Sequence, residues 1–188
     1  MSQDPGDEFA LIEAAKAGSV TAFTDLVGRY RTRLLRFLLT RCASHADAED
    51  ALQDTLINAF RYLESYDPRW RFSTWLYRIA IRNAMKQQSR YVNELGELGD
   101  EESDPLKACI EASERENLWL TARRHLSDDV YMAMWLRYVE DMSVNDVAAV
   151  LERTASWTKV NLMRGRQRLD AALKPSPSAK ENGTYGQA

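Results

Sequence analysis

Apolar residues in this chain recur at three- and four-residue steps and nowhere alternate over a useful length, which restricts it to helices packed on helices. Between Thr21 and Cys42 the stripe is Phe23, Leu26, Val27, Tyr30, Leu34, Phe37 and Leu38, with Arg29, Arg33 and Arg36 on the polar face. A second stripe, Ala48, Ala51, Leu52, Thr55, Leu56, Ala59 and Phe60, follows Ser44 with Asp47 three residues on. At that spacing a hydroxyl and a carboxylate satisfy the free backbone donors of a helix start. Pro68 pushes its predecessor out of helical geometry, so Asp67 to Ser73 reads as a loop. A third helix is expected from Ser73 or Thr74, with Phe72, Trp75, Leu76, Ile79, Ala80 and Asn83 on one face. Arg78, Arg82 and Lys86 repeat every four residues and line another.

From Asn93 to Pro105 the periodicity stops, and six acidic residues appear without one base. Such a segment offers little apolar area against the entropy of ordering it and reads as a mobile linker. Helical patterning resumes near Ser113, where Glu116 completes another capping box, with Leu118, Trp119, Ala122 and Leu126 forming the stripe. Ser127 is expected to cap the next helix, with Val130, Ala133, Met134 and Tyr138 turned inward. Ser143 and Asp146 open a short helix bearing Val147, Ala148, Val150 and Leu151. After Glu152 to Thr154 a longer helix runs toward Leu173, and two helices so joined outline a helix-turn-helix. The Pro- and Gly-containing tail from Pro175 is expected to be disordered. The expected fold is all-α, with domains at 1–92 and 113–174, an acidic flexible linker at 93–112 and a tail at 175–188.

A net charge of -3 conceals segregation of basic and acidic residues into separate blocks. Cys42 and Cys109 lie far apart with no Cys or His at ligand spacing, which argues against a zinc site and a disulfide framework. The polar, acidic start and the absence of a long apolar run point to a cytoplasmic protein without membrane insertion. His45 and His125 stand alone and no glycine-rich phosphate loop occurs, so no catalytic group, metal or cofactor is expected.

Pro68 to Asn93 holds Arg69, Arg71, Arg78, Arg82, Lys86 and Arg90 and no carboxylate, interleaved with Trp70, Phe72, Trp75, Tyr77 and Tyr91. Cations neutralise phosphates while aromatic faces accept unstacked bases, the pairing a single-strand binder needs. Trp75, Leu76 and Ile79 share the stripe that must face other helices and read as core. The cations read as a nucleic-acid surface, because no acidic neighbour is at hand to pair with them. Arg153 to Leu169 is also free of carboxylates and holds Arg153, Lys159, Arg164, Arg166 and Arg168. There Thr158, Leu162, Gly165 and Leu169 mark the packing side, leaving Trp157, Val160, Asn161 and Arg164 for a major groove or, on a blander reading, for a partner or a membrane surface. Asp47, Glu49, Asp50 and Asp54 sit where the helix dipole favours acids and suit either docking of a basic partner or a solvated face. A free-standing helix-turn-helix regulator is the chief rival reading, and it leaves the basic, aromatic segment unexplained.

The string from Phe72 to Ala80, FSTWLYRIA, resembles the signature of extracytoplasmic-function (ECF) sigma factors of bacterial RNA polymerase. Asp47 to Asp54, DAEDALQD, stands in the place of that family's core-binding helix. Leu136 to Tyr138 and Ser143 to Leu151 resemble its second DNA-reading domain, which ends in Lys159 and Arg164 to Leu169. The resemblance spans about Thr21 to Leu173. It implies a sigma-two-like helical bundle and a sigma-four-like helix-turn-helix, and a non-catalytic factor that directs promoter recognition and melting. Asp47, Glu49, Asp50, Gln53 and Asp54 are then the core-polymerase contacts, on the clamp of the largest subunit, with the flap of the second-largest as the other docking point. For the minus-ten element, Arg69, Trp70, Arg71, Phe72 and Ser73 are implied to hold a flipped base, and Arg78, Arg82, Asn83 and Lys86 to follow its strand. For the minus-thirty-five element the implied contacts are Arg153, Ser156, Trp157, Lys159, Val160, Asn161, Arg164, Arg166 and Arg168. The acidic linker resembles the segment that threads the RNA exit path. An anti-sigma factor and a stress or envelope regulon are implied by the family alone. Glu152 departs from the pattern, standing where the family has a turn glycine, so the turn is expected either to change geometry or to hold a bulky residue in a left-handed conformation.

Overall fold

The structure, a computed structural model, describes residues 5–95 and 114–174, with side chains over 6–85 and 118–174. Most of the expected linker, the Ser113 capping box, the tail, and the Lys86 and Arg90 side chains lie outside the described residues. Among the described residues eight helices run α1 (Pro5–Lys16), α2 (Val20–Leu39), α3 (His45–Arg61), α4 (Phe72–Leu95), α5 (Glu114–His125), α6 (Asp128–Tyr138), α7 (Val144–Val150) and α8 (Ala155–Leu173). A 3-10 turn, Leu63–Ser65, follows α3. Among the described residues there is no strand. Helix α1 has no counterpart in the sequence reading, and α4 starts at Phe72 and continues to Leu95, past the point where the apolar period fades.

The caps form as their residue types require. Ser19 accepts from the Ala22 amide at 3.2 Å, and Ser44 from the Asp47 amide at 3.1 Å. At α7 the box closes fully: the Ser143 hydroxyl accepts from the Asp146 amide and the Asp146 carboxylate from the Ser143 amide. Ser127 occupies the cap of α6 without a side-chain hydrogen bond. The buried face of α2 contains every residue of the expected stripe. Two expected inward residues point out instead. Phe60, at the end of α3, is half exposed with its ring edge-to-face with Phe23, and Tyr138, at the last turn of α6, is likewise exposed.

Helices α1 to α4 pack around Leu26, Leu34, Phe37, Leu38, Leu52, Phe72 and Leu76, and α5 to α8 around Tyr131, Met132, Leu136, Val147 and Leu162. In α8 the buried residues are Thr158, Leu162, Gly165 and Leu169, the face expected from their spacing. Gly165 permits α6 to approach: a Cβ there meets Met134 Sδ at 2.6 Å and Val130 Cγ1 at 3.1 Å. Met134 can swing aside but branched Val130 cannot. Gly165→Val is therefore expected to destabilise the helix-turn-helix unit by about 1–3 kcal/mol, read as a lower urea midpoint at unchanged slope.

The two groups of helices touch through α4 and α7. On one side stand Arg33, Arg41, Thr74, Arg78 and Arg82, and on the other Glu140, Asp128, Asp146 and Glu152. Arg33 Nε donates to Glu140 Oε2 at 2.8 Å, and Arg41 meets Asp128 at 2.9 Å. Thr74 Oγ1, buried, donates to Asp146 Oδ1 at 2.9 Å. In these cross-group pairs the cations lie on the amino-terminal group and the acids on the carboxy-terminal one, a complementarity that favours this register of docking.

Candidate nucleic-acid interface

The loop before α4 is shaped by its own short-range bonds. Asp67 accepts from the Arg69 amide at 3.0 Å and from Arg69 Nε at 2.8 Å, which holds the Asp67 carboxyl below the usual carboxylate range. Tyr66 donates its hydroxyl to the Trp70 carbonyl at 2.7 Å. Trp70, left 38% exposed by this turn, projects over a small cleft. The cleft holds about 240 Å³ and its walls include Ser65, Trp70, Thr74, Trp75, Arg78 and Arg82. Its volume suits one flat ring system, and its walls combine aromatic faces with donors. Arg78 Nε is buried without a hydrogen-bond partner among the described residues.

The structure separates the residues expected at the minus-ten strand into two sets. Arg69, Trp70, Arg71 and Arg82 are exposed, and Ser73 and Arg78 are partly so. Phe72 is fully buried, with Tyr30, Tyr66 and Trp75 rings at 5.5 to 5.7 Å. Asn83 is buried too: its Nδ2 donates to Thr55 Oγ1 at 3.2 Å and its Oδ1 accepts from Asn58 Nδ2 at 3.2 Å. Phe72 is thus an interior ring and Asn83 a satisfied amide, both beneath the surface that Arg69, Trp70, Arg71 and Arg82 form. The expectation that α4's cations lack acidic partners also changes. Glu152 reaches Arg82 at 2.5 Å and Arg78 at 3.7 Å, from a position far along the chain.

Helix α8 is capped by Thr154, whose hydroxyl accepts from the Trp157 amide at 3.1 Å. Ser156, Lys159, Val160, Arg164, Arg166 and Arg168 are exposed, and Trp157 and Asn161 partly so. Arg153 is already engaged, bonded to Asp129 at 2.6 Å and lying over the Trp157 ring at 5.4 Å. Met163, exposed three residues after Val160, extends the apolar part of this face. That spacing was its signal in the sequence. On α3, Glu49, Asp50 and Gln53 are exposed and Asp54 partly so, while Asp47 accepts from the Ser44 hydroxyl at 2.7 Å and belongs to the cap. Burial pushes the Cys42 thiol up to about 11, far from a nucleophile's range.

A helical unit that offers cations and rings beside a cleft, docked to a helix-turn-helix, is the architecture of a transcription protein. Residues 26–91 match the family model Sigma-70 region 2. The ECF RNA polymerase sigma-E factor of Haemophilus influenzae is 30% identical over 180 residues, covering 88% of this chain and 95% of that protein. The sigma-E factor of Escherichia coli K12 is 29% identical over 189 residues, covering 93% and 98%. Among solved structures, CnrH in complex with the cytosolic domain of CnrY superposes with a TM-score of 0.68 at 23% identity, over 89% of this chain and 97% of that one. RpoE in complex with the anti-sigma factor NepR from Bartonella quintana gives 0.62 at 21%, over 82% and 98%, and both likenesses are of fold. The chain belongs to the ECF RNA polymerase sigma factors. It is a protein of transcription initiation, acting with RNA polymerase at promoters. No helix among the described residues is long and apolar enough to cross a membrane.

Proposed function

We propose that this sigma factor opens promoters by stacking an extruded minus-ten base against Trp70 in the cleft before α4, while Arg69, Arg71, Arg78, Arg82 and Lys86 neutralise the phosphates of that strand. The observation that carries the reading is the exposed Trp70 indole on a cleft that Arg78 and Arg82 also line, in a stretch with no carboxylate of its own. Extruding a base costs a few kcal/mol, and stacking returns about 1–3 kcal/mol per base, so phosphate contacts must supply the rest. Phe72 and Asn83 serve by fixing the surface from beneath. Exposed Glu49, Asp50 and Gln53, with Asp54, face the clamp of the polymerase. Ser156, Lys159, Val160, Asn161 and Arg164 enter the minus-thirty-five major groove, with Arg166 and Arg168 toward its phosphates and Arg153 and Trp157 bracing the helix start.

On this reading the chain is a non-catalytic cytoplasmic factor of 1–92 and 113–174 domains, serving a stress or envelope regulon. Because CnrH and RpoE are each held by a partner, an anti-sigma factor is proposed here as well. Run-off transcription with purified core polymerase on a promoter library tests the reading, product being expected only when the chain is present. Arg82→Ala with Lys86→Ala is expected to lower open-complex formation roughly tenfold or more at unchanged core binding. Equal loss of both, or no opened promoter, overturns the assignment.

A further inference from the structure

Helix α8 carries a second row of side chains, opposite the one that packs. Ser156, Val160, Met163 and Gln167 each stand two residues before a member of the buried row Thr158, Leu162, Gly165 and Leu169. Two residues turn a helix by about 200°, so this row points away from α5, α6 and α7, on which α8 packs. All four of its members are exposed, and its middle is apolar: Val160 is 40% exposed and Met163 46%. Neither side chain belongs to the core. A β-branched valine also lowers helix propensity at a position where a polar, unbranched residue is better suited to water.

Cations border the row on both sides. At about 100° per residue, Lys159 and Arg166 fall on one flank, and Arg164 and Arg168 on the other. None of these four has an ion-pair partner among the described residues, whereas Arg153, ahead of the helix, is held by Asp129. An apolar line between two charged borders matches the major groove, which has phosphates along both walls and a floor where thymine alone carries a methyl group. The amide of Asn161 is engaged on its own helix, its Nδ2 donating to the Trp157 carbonyl at 2.9 Å. That bond competes with a bidentate grip on adenine, which uses the same nitrogen.

We propose that Val160 and Met163 read thymine 5-methyl groups on neighbouring base pairs of the minus-thirty-five element, so that apolar contact contributes to the choice of promoter there. This selectivity rests on the placement of α8 in that groove given above. The two positions are about 4.5 Å apart along the helix axis, against about 3.4 Å between successive bases, so each meets its own pair. Val160 is held near one rotamer and presents a fixed surface, while Met163 is unbranched and bends to follow the groove floor.

The test uses holoenzyme assembled from core polymerase and the full chain. Bound duplexes are selected from a promoter library, and each thymine of the recovered minus-thirty-five element is replaced singly by deoxyuridine, which lacks only the methyl group. Replacement at two neighbouring pairs is expected to weaken binding about fourfold each, the worth of one buried methyl. Val160→Ala is expected to abolish the loss at one of these pairs and Met163→Ala at the other, with helix content unchanged. Each protein is compared with itself on the two duplexes, so a general loss of binding does not imitate the effect. A parent indifferent to deoxyuridine at every position, or variants that discriminate as the parent does, overturns the proposal alone. If no promoter is recovered by the holoenzyme, the placement of α8 in the groove falls with it.

Discussion

Phe72→Ala is expected to cost about 3–5 kcal/mol and to lower the thermal midpoint of the amino-terminal helices by on the order of ten degrees. The ring is fully buried at the first position of α4 and is surrounded by Tyr30, Tyr66 and Trp75. Its removal leaves a cavity between α2, the loop and α4 that backbone-anchored neighbours cannot fill. The damage reaches the cleft, because Tyr66 fixes the Trp70 carbonyl and Trp75 forms a wall. Promoter opening is therefore expected to fall more steeply than core binding. Phe72→Leu, which retains most of the volume, is expected to lose only a fraction of that stability. Circular dichroism melts and open-complex footprints check both, and an alanine variant as stable as the parent contradicts the packing described here.

Arg33→Met is expected to be nearly as costly, for an electrostatic reason. The Glu140 side chain is only 1% exposed, and Arg33 supplies its guanidinium partner at 2.7 Å. Trp135 Nε1 donates to the same carboxylate at 3.3 Å. Glu140 and burial together raise the pKa of the Tyr77 hydroxyl, burial being the larger cause, so that neighbour stays neutral and cannot share a second negative charge. Breaking a buried pair from one side costs about 3–5 kcal/mol, and the lower end applies because Arg33 keeps one flank in water. The molecule has an escape: Arg33 and Glu140 belong to different helical groups, so separating them rehydrates the carboxylate. The expected result is expansion in scattering with helix content retained. Arg33→Lys, which keeps the charge but not the fork, is expected to fall between. Global unfolding instead places Glu140's role inside its own unit.

These effects differ from those of exposed pairs such as Lys174 with Asp170, whose loss is expected to change stability by less than about 1 kcal/mol. Buried Glu140 and Asp146 fix where the two groups meet, whereas exposed Glu152 adds only a solvent-facing pair with Arg82.

What could be read from the chain alone was local in origin. The period of α2, the closed box of Ser143 with Asp146, and the buried face of Thr158, Leu162, Gly165 and Leu169 each depend on residues three or four apart, and a helix makes such residues neighbours wherever it lies. The basic, aromatic character of 68–93 and its family resemblance were legible for the same reason. Helix α1 escaped notice because its period is weak, its docking resting on Ile12 and Ala15 and on polar links from Glu8 to Tyr30 and Asp7 to Arg29.

Only the tertiary structure decided which cations are free. Arg82 and Glu152 are separated by 70 residues, and Arg33 and Glu140 by 107, so no spacing rule relates them. Asn83 shows the same limit from the other direction. Its place on the apolar face was clear, but that Thr55 and Asn58 satisfy its amide depends on how α3 crosses α4. Periodicity assigns a residue to a face, and packing decides what that face meets.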